Sequence, residues 1–305
     1  MNCAISAIKH DIDYLVLEKG VLANSIFHFP ANMTFFSTSQ KLEIGDIPFI
    51  SHTDKPTRRE ALEYYRRISE AYQIDIRFRK CVNSIYKEDG VFNITTAEET
   101  YTADYVIVCT GYYDIPRLLN IPGEGLPKVK HYYDEAHPYI GQKIVVIGGA
   151  NSACDIALET WQKGSEVTMV VRKPELYQKV KYWILPNIEN RIKEGSIKAY
   201  FNSQVSEITE KTVTIDSPEG TVTIENDYVL AMTGYMPDYP FLEKINIEFD
   251  EGEFRKPIHH PDTLESTIPG LYLAGVINSG LATSKLFIEN TRDHGERIIS
   301  HIVEK

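Results

Sequence analysis

The residues best suited to chemistry lie in one short run, GGANSA (Gly148, Gly149, Ala150, Asn151, Ser152, Ala153), between the apolar stretch KIVVI and an amphipathic segment. Gly148 permits a tight turn after a strand, and Ala153 is small enough for a following helix to pack on that strand. The first amides of such a helix have no partner inside it and can hold a pyrophosphate. Ala150 stands where loops of this type carry their middle glycine, so the backbone's approach to phosphate is less open. A plain tight turn would use the same small residues. The next strand ends in Arg172-Lys173, Arg172 standing 24 residues after Gly148. An acid there would bond a ribose 2′-hydroxyl, whereas a cation suits a 2′-phosphate; the pair predicts NADPH. A solvated basic pair is the plainer reading.

The chain opens on a segment of similar shape and opposite charge. Ala4, Ile5, Ala7 and Ile8 recur at helical spacing, Asp11 to Asp13 turn the chain, and Leu15, Val16 and Leu17 form a strand ending in Glu18-Lys19-Gly20. Helix, turn, strand and terminal acid are the second half of a dinucleotide-binding unit. Glu18, with Lys19 beside it, suits an adenosine ribose without a 2′-phosphate. The later copy's spacing, counted back from Glu18, puts the first glycine about six residues ahead of Met1, so a phosphate loop is expected upstream. Thr110-Gly111 and Thr233-Gly234 close two further apolar strands, and Gly275-Val276 ends LYLAGV. A glycine there lets backbone approach a ligand, although any sharp turn wants one too.

These residues need sheet edges to stand on, and the chain supplies two rounds of the same grammar. In the first, a helix over Arg58 to Tyr72 shows apolar or aromatic residues at Ala61, Leu62, Tyr65, Ile68 and Tyr72. A β-meander around Asp89-Gly90 follows, then an apolar strand, Tyr105 to Cys109. Pro116, Pro122 and Pro127 mark a linker. The second round runs strand, glycine turn, helix, strand, meander and apolar strand; LYLAGV and a C-terminal helix, running on from Ile277, complete the chain. The pattern predicts an α/β fold with two Rossmann-like dinucleotide-binding domains, parallel sheets each with a β-meander, and ligands at the strands' carboxyl ends. Phe27, Phe29, Phe35 and Phe36 read as core before they read as a ligand wall. His131 and His137, in KHYYDEAHPY, are a conceivable acid–base pair in the linker, although a structural or surface role is the plainer reading; His259, His260 and His294 are no more telling, and no metal constellation stands out.

Composition limits the classes. The chain has 305 residues, 43% hydrophobic and 25% charged, enough for two domains. A net charge of −11 without a basic block argues against nucleic acid and anionic membrane as partners. No apolar run approaches the ~18 residues of a spanning helix. Cys3, Cys81, Cys109 and Cys154 form no CxxC or zinc spacing, which suits a reduced, cytoplasmic protein.

With those residues placed, the chain resembles two-domain flavoproteins of the thioredoxin reductase type, and among these the bacillithiol disulfide reductase family. The stretches that carry the likeness are TFFSTSQKLEIGDIPF, TGYYD, HYYDEAHPY, IGGANSACDIALE, WILPN, NDYVLAMTGYMPDY and FIEN. The resemblance implies FAD in a domain of residues 1–117 and 246–305, and NADPH in an inserted domain of residues 118–245. Glu18 would hold the FAD ribose, Thr110 and Gly111 the FAD phosphates, and Gly275 the flavin side of that cofactor. Gly148, Asn151, Ser152 and Ala153 would bind the NADPH pyrophosphate, with Arg172 and Lys181 on the 2′-phosphate. Three departures stand out. HYYDEAHPYIG occupies the place of the thioredoxin reductase CxxC, Val276 replaces a frequent Asp, and Cys3 does not match the family's glycine-loop cysteine.

The resemblance implies hydride transfer from NADPH through flavin to a small-molecule disulfide. A flavin monooxygenase-like enzyme and a non-catalytic NADPH-binding module are the alternatives. A homo-oligomer is left open, and no cysteine is assigned a catalytic role.

Overall fold

The computed structural model describes all 305 residues. They form two compact units, Met1–Ile115 with Tyr235–Lys305, and Pro116–Gly234.

The first unit begins with helix α1 (Asn2–Lys9), which buries Ala4, Ile5, Ser6 and Ala7. Strand β1 (Val16–Glu18) follows. Helix α2 (Arg58–Ala71) starts with a capping box in which Thr57 and Glu60 satisfy each other's first-turn amides. Its buried face, Ala61, Tyr64, Tyr65 and Ile68, packs in a cluster with Ile5, Phe35, Leu42 and Phe49. Strand β2 (Ile76–Phe78) then pairs parallel with β1. Strands β3 (Ser84–Glu88), β4 (Val91–Thr95) and β5 (Thr100–Ala103) make the antiparallel meander, turning at Asp89-Gly90. Strand β6 (Val106–Val108) completes this half of the unit.

In the second unit β7 (Val129–Lys130) precedes β8 (Lys143–Ile147), helix α3 (Asn151–Gln162) and β9 (Glu166–Val171). Helix α4 (Leu185–Lys193) leads to β10 (Lys198–Phe201). Strands β11 (Gln204–Ile208), β12 (Thr212–Ser217) and β13 (Gly220–Glu225) form the second meander, and β14 (Tyr228–Ala231) returns to the main sheet. The sheet order is β10-β9-β8-β14-β7, with every pairing parallel. Helices cover such a sheet on its faces, so its strands read as unbroken apolar runs: Ile144 to Ile147 and Val167 to Val171 lie buried, Thr168 among them.

The chain rejoins the first unit at Tyr235, earlier than the expected boundary at 245/246. The reason is helix α5 (Tyr239–Lys244) and the residues after it: Leu242, Ile245 and Ile247 are buried with Ile85, Phe92, Val108 and Leu271. Strand β15 (Leu271–Leu273) pairs parallel with β6. The C-terminal helix α6 spans only His294–Val303. Gly275–Ser279 is instead a 3-10 turn, in which Asn278 donates to the Leu273 carbonyl and Ser279 to that of Val276, local bonds that compete with an α-helix. The first unit differs from the second in one respect. In the second, β8 bonds both β9 and β14; the first holds no strand in that role, so β1–β2 and β6–β15 remain separate parallel pairs.

Candidate functional site

In the second unit the parallel register sets Ile147 beside Val170 and Ala231, so Gly148, Arg172 and Thr233 leave neighbouring strand ends. Gly148 has φ +134°, and a Cβ there would lie 2.6 Å from the Met232 carbonyl oxygen, so only glycine fits. Its amide bonds the Val170 carbonyl at 3.0 Å, which leaves the following turn to face outward. Helix α3 starts after Ala150 without a side-chain cap. The amides of Asn151, Ser152 and Ala153 therefore point from a helix N-terminus with no side chain on them, the arrangement that holds an anion. Ala153 is buried against the strand, while Ala150 and Ser152 are exposed.

Arg172 and Lys173 follow β9, both exposed, and no carboxylate pairs with Arg172. Lys181 has a different environment. It is 8% exposed, its ammonium pairs with Asp155 at 2.8 Å, and its amide donates to the Asn151 side chain at 2.9 Å. With the Tyr177 amide on the Gly149 carbonyl, these bonds fold residues 172–184 back over the glycine turn. Lys181 thus holds the loop in place, and Arg172 is the free cation.

In the first unit Leu273 lies beside Val108, so Thr110, Gly111, Gly275 and Val276 extend from paired strand ends. Gly111 and Gly275 both have positive φ, +67° and +84°. A Cβ on Gly111 would meet only the Val276 side chain, at 3.5 Å, and one on Gly275 would meet nothing within 4 Å. Backbone faces open space at both. Glu18 ends β1 with Oε1 accepting the Gly20 amide at 2.8 Å, and burial raises its pKa above the usual carboxylate range. Lys19 pairs with Asp114 at 2.8 Å, which ties the end of β1 to the loop beyond β6. Its charge is therefore committed.

The aromatic segment divides. Phe35 is core, Phe29 packs edge-on against Phe35 and Tyr113, and Phe27 and Phe36 are exposed beneath Arg58 and Lys55. His131 pairs with Glu124 at 3.4 Å. One residue given no weight in the sequence emerges here. Buried His294 accepts the Gly275 amide on Nδ1 at 3.0 Å, so its proton sits on Nε2, and burial lowers its pKa. No local pattern marks it, since the bond crosses from α6 to a strand end.

The residues at both sets of strand ends suit a dinucleotide. The second unit offers uncapped helix amides, a turn that a Cβ would obstruct, and a free guanidinium; the first offers an acid and two open strand-end glycines. Comparison with known proteins agrees on the class: the family model for pyridine nucleotide-disulphide oxidoreductases matches residues 1–275. The chain is 44% identical over 309 residues to the bacilliredoxin reductase Bdr of Bacillus subtilis, covering 99% of this chain and 95% of that protein. The solved bacillithiol disulfide reductase Bdr of Bacillus cereus superposes with a TM-score of 0.97 at 42% identity, over 99% of this chain and 95% of the other. The thioredoxin reductase of Lactococcus lactis shares the two-domain fold, with a TM-score of 0.77 at 20% identity over 99% and 94%. The chain belongs to the pyridine nucleotide-disulphide oxidoreductases and, within them, to the bacillithiol disulfide reductase-like family. It is an oxidoreductase, and its family implies a flavin and a pyridine nucleotide. No helix is long and apolar enough to cross a membrane.

Proposed function

We propose that the chain passes hydride from NADPH through FAD to a low-molecular-weight thiol disulfide of the bacillithiol type, FAD lying in the first unit and NADPH in the second. The observation that carries the reading is the free Arg172 at the end of β9 beside the uncapped start of α3. Asn151, Ser152 and Ala153 present amides to the nucleotide's pyrophosphate, and Arg172 presents a guanidinium to its 2′-phosphate. Glu18 accepts the hydroxyls of the other dinucleotide's ribose, while Thr110, Gly111, Gly275 and Val276 let backbone reach it. A bound flavin supplies the relay between a hydride donor and a disulfide. The relatives named for bacillithiol and bacilliredoxin support the substrate class, and four free cysteines suit a reducing cytoplasm. The test is NADPH consumption by the flavin-loaded protein with bacillithiol disulfide. A disulfide-dependent rate is expected, and equal rates with and without disulfide overturn the reading.

A further inference from the structure

Helix α3 carries an acid close to the amides that suit an anion. Asn151, Ser152 and Ala153 open the helix, and Asp155 stands one turn after Asn151. The helix start attracts negative charge, whereas a carboxylate one turn behind it repels the same ligand. Lys181 meets that carboxylate. Its ammonium lies 2.8 Å from Asp155 Oδ2, with the two side chains 11% and 32% exposed, so the pair is only partly open to water. The Trp183 ring, its centroid 5.8 Å from the same nitrogen, adds a cation–π contact. The backbone of Lys181 is fixed separately. Its amide donates to Asn151 Oδ1 at 2.9 Å, and its carbonyl accepts the Ile184 and Leu185 amides at 2.8 and 3.0 Å. Leu176 and Val180, on the same loop, are buried in one cluster with Ala153 and Cys154. The loop is therefore tethered to the start of α3 by contacts that any side chain at position 181 preserves. What the ammonium adds is positive charge at Asp155. Lys179 of the same loop is exposed and pairs with no carboxylate.

We propose that Lys181 is a positioning residue for the second unit's dinucleotide, one that cancels Asp155 so that the first amides of α3 meet the pyrophosphate without an opposing charge. Lys181 then acts through Asp155 and touches no phosphate, whereas Arg172 acts directly on the 2′-phosphate. The inference rests on the reading that NADPH binds at this helix start, and it deepens that reading. Its effect falls on the pyrophosphate, which NADP+ and NAD+ share, so Lys181 sets affinity for both and preference for neither.

The test is calorimetric titration of the full chain with NADP+ and with NAD+. Lys181→Met bares Asp155 and is expected to weaken both ligands by about tenfold, the scale of one unit charge acting over ~10 Å at an effective dielectric of ~20. Asp155→Asn alone is expected to bind at least as tightly as the unaltered chain. Adding it to Lys181→Met removes the opposing charge and is expected to restore affinity to within about threefold. Lys179→Met takes an exposed, screened cation from the same loop and is expected to cost less than about threefold. An ion pair that only braced the loop would behave differently: each single substitution would weaken binding, and the double variant would bind no better than Lys181→Met. That result overturns the proposal, as does a loss confined to NADP+, which would set Lys181 on the 2′-phosphate, or an equal loss in Lys179→Met. An unaltered chain that binds no NADP+ overturns the reading of the site and this inference with it. Normal binding that Lys181→Met leaves unchanged overturns this inference alone.

Discussion

Arg172 offers the sharpest test of the second unit, because its side chain is exposed and no carboxylate competes for it. Replacing it with Ala removes a cation from the end of β9 without disturbing buried atoms, so the melting temperature should stay within about a degree, as for surface changes generally. A hydrogen bond to a charged group contributes ~1.5–3 kcal/mol. At ~1.4 kcal/mol per factor of ten, Arg172→Ala should weaken NADPH binding by about 10- to 100-fold. The 2′-phosphate is remote from the reacting carbon, so the loss should appear in KM with kcat nearly unchanged. NADH lacks that phosphate and should be indifferent to Arg172→Ala. Arg172→Glu should reverse the preference, by repelling the phosphate and accepting from the free hydroxyl. Lys173 is the internal control: its carbonyl bonds the Asn202 amide at 3.0 Å, which any side chain preserves, and Lys173→Ala should cost less than Arg172→Ala. The assay is steady-state reduction with each nucleotide at physiological salt, where the ~8 Å screening length damps distant charges and leaves a direct contact visible. If Arg172→Ala lowered kcat/KM equally for NADPH and NADH, or for neither, the assignment of the 2′-phosphate to this residue would be wrong.

Other expectations test the scaffold around the sites. Gly148→Ala forces a Cβ to within 2.6 Å of the Met232 oxygen at φ +134°, and should lower stability to urea by ~2–5 kcal/mol together with nucleotide affinity. His294→Ala leaves the Gly275 amide without its acceptor, at ~1–3 kcal/mol, and His294→Asn should recover part of that; full stability in the Ala variant would refute the bond's importance. Burial lowers the His294 pKa, so the folded state binds fewer protons than the unfolded one. Its contribution is then complete above the unfolded pKa of ~6.5 and fades as pH falls through the lowered value, and His294→Asn should flatten that part of a stability–pH curve. Thr57→Ala breaks the α2 capping box and should cost ~0.5–2 kcal/mol by thermal denaturation. Burial works to raise the Glu60 pKa, but the amides of Thr57 and His52 and the hydroxyls of Thr57 and Ser51 outweigh it and hold the carboxyl at about 2. Its stabilisation should persist above ~4.3 and disappear as pH drops toward 2, a loss that Glu60→Gln should abolish.

Much of this organisation is written in local pattern. The 3.6-residue recurrence of Ala4, Ile5 and Ala7 and of Ala61, Tyr65 and Ile68 marks α1 and α2, and unbroken apolar runs mark β8, β9 and β14 as buried parallel strands. The glycine turn and the charge at the next strand end are local too, so the residues proposed for the second unit's site stand out by spacing. What spacing could not disclose are pairings between distant segments. Lys181 reads as one more cation until the fold sets it on Asp155, and Lys19 until it meets Asp114. His294 acquires its partner only when a helix is laid against a strand end. The boundary near Tyr235 has a similar cause, because Leu242 and Ile245 are apolar in either unit and only packing decides which core takes them.

The ends of β1 and β9 differ in more than sign. At the end of β1 the acid is half-buried and bonded to the Gly20 amide, and the adjacent cation is cancelled by Asp114. At the end of β9 both residues are cationic and exposed, and the nearby Lys181 is withdrawn into its own ion pair. One edge therefore presents an acceptor from which positive charge has been removed, and the other presents positive charge that nothing neutralises. On the proposed assignment, a dinucleotide bearing an extra phosphate should gain at the second edge and be repelled at the first, so that discrimination would follow from which charges are already paired. Exchanging Asp114 for Asn tests this. It would release Lys19 beside Glu18, and the first unit should then tolerate a 2′-phosphorylated ligand better than before. If tolerance did not change, charge pairing would not be what separates the two edges.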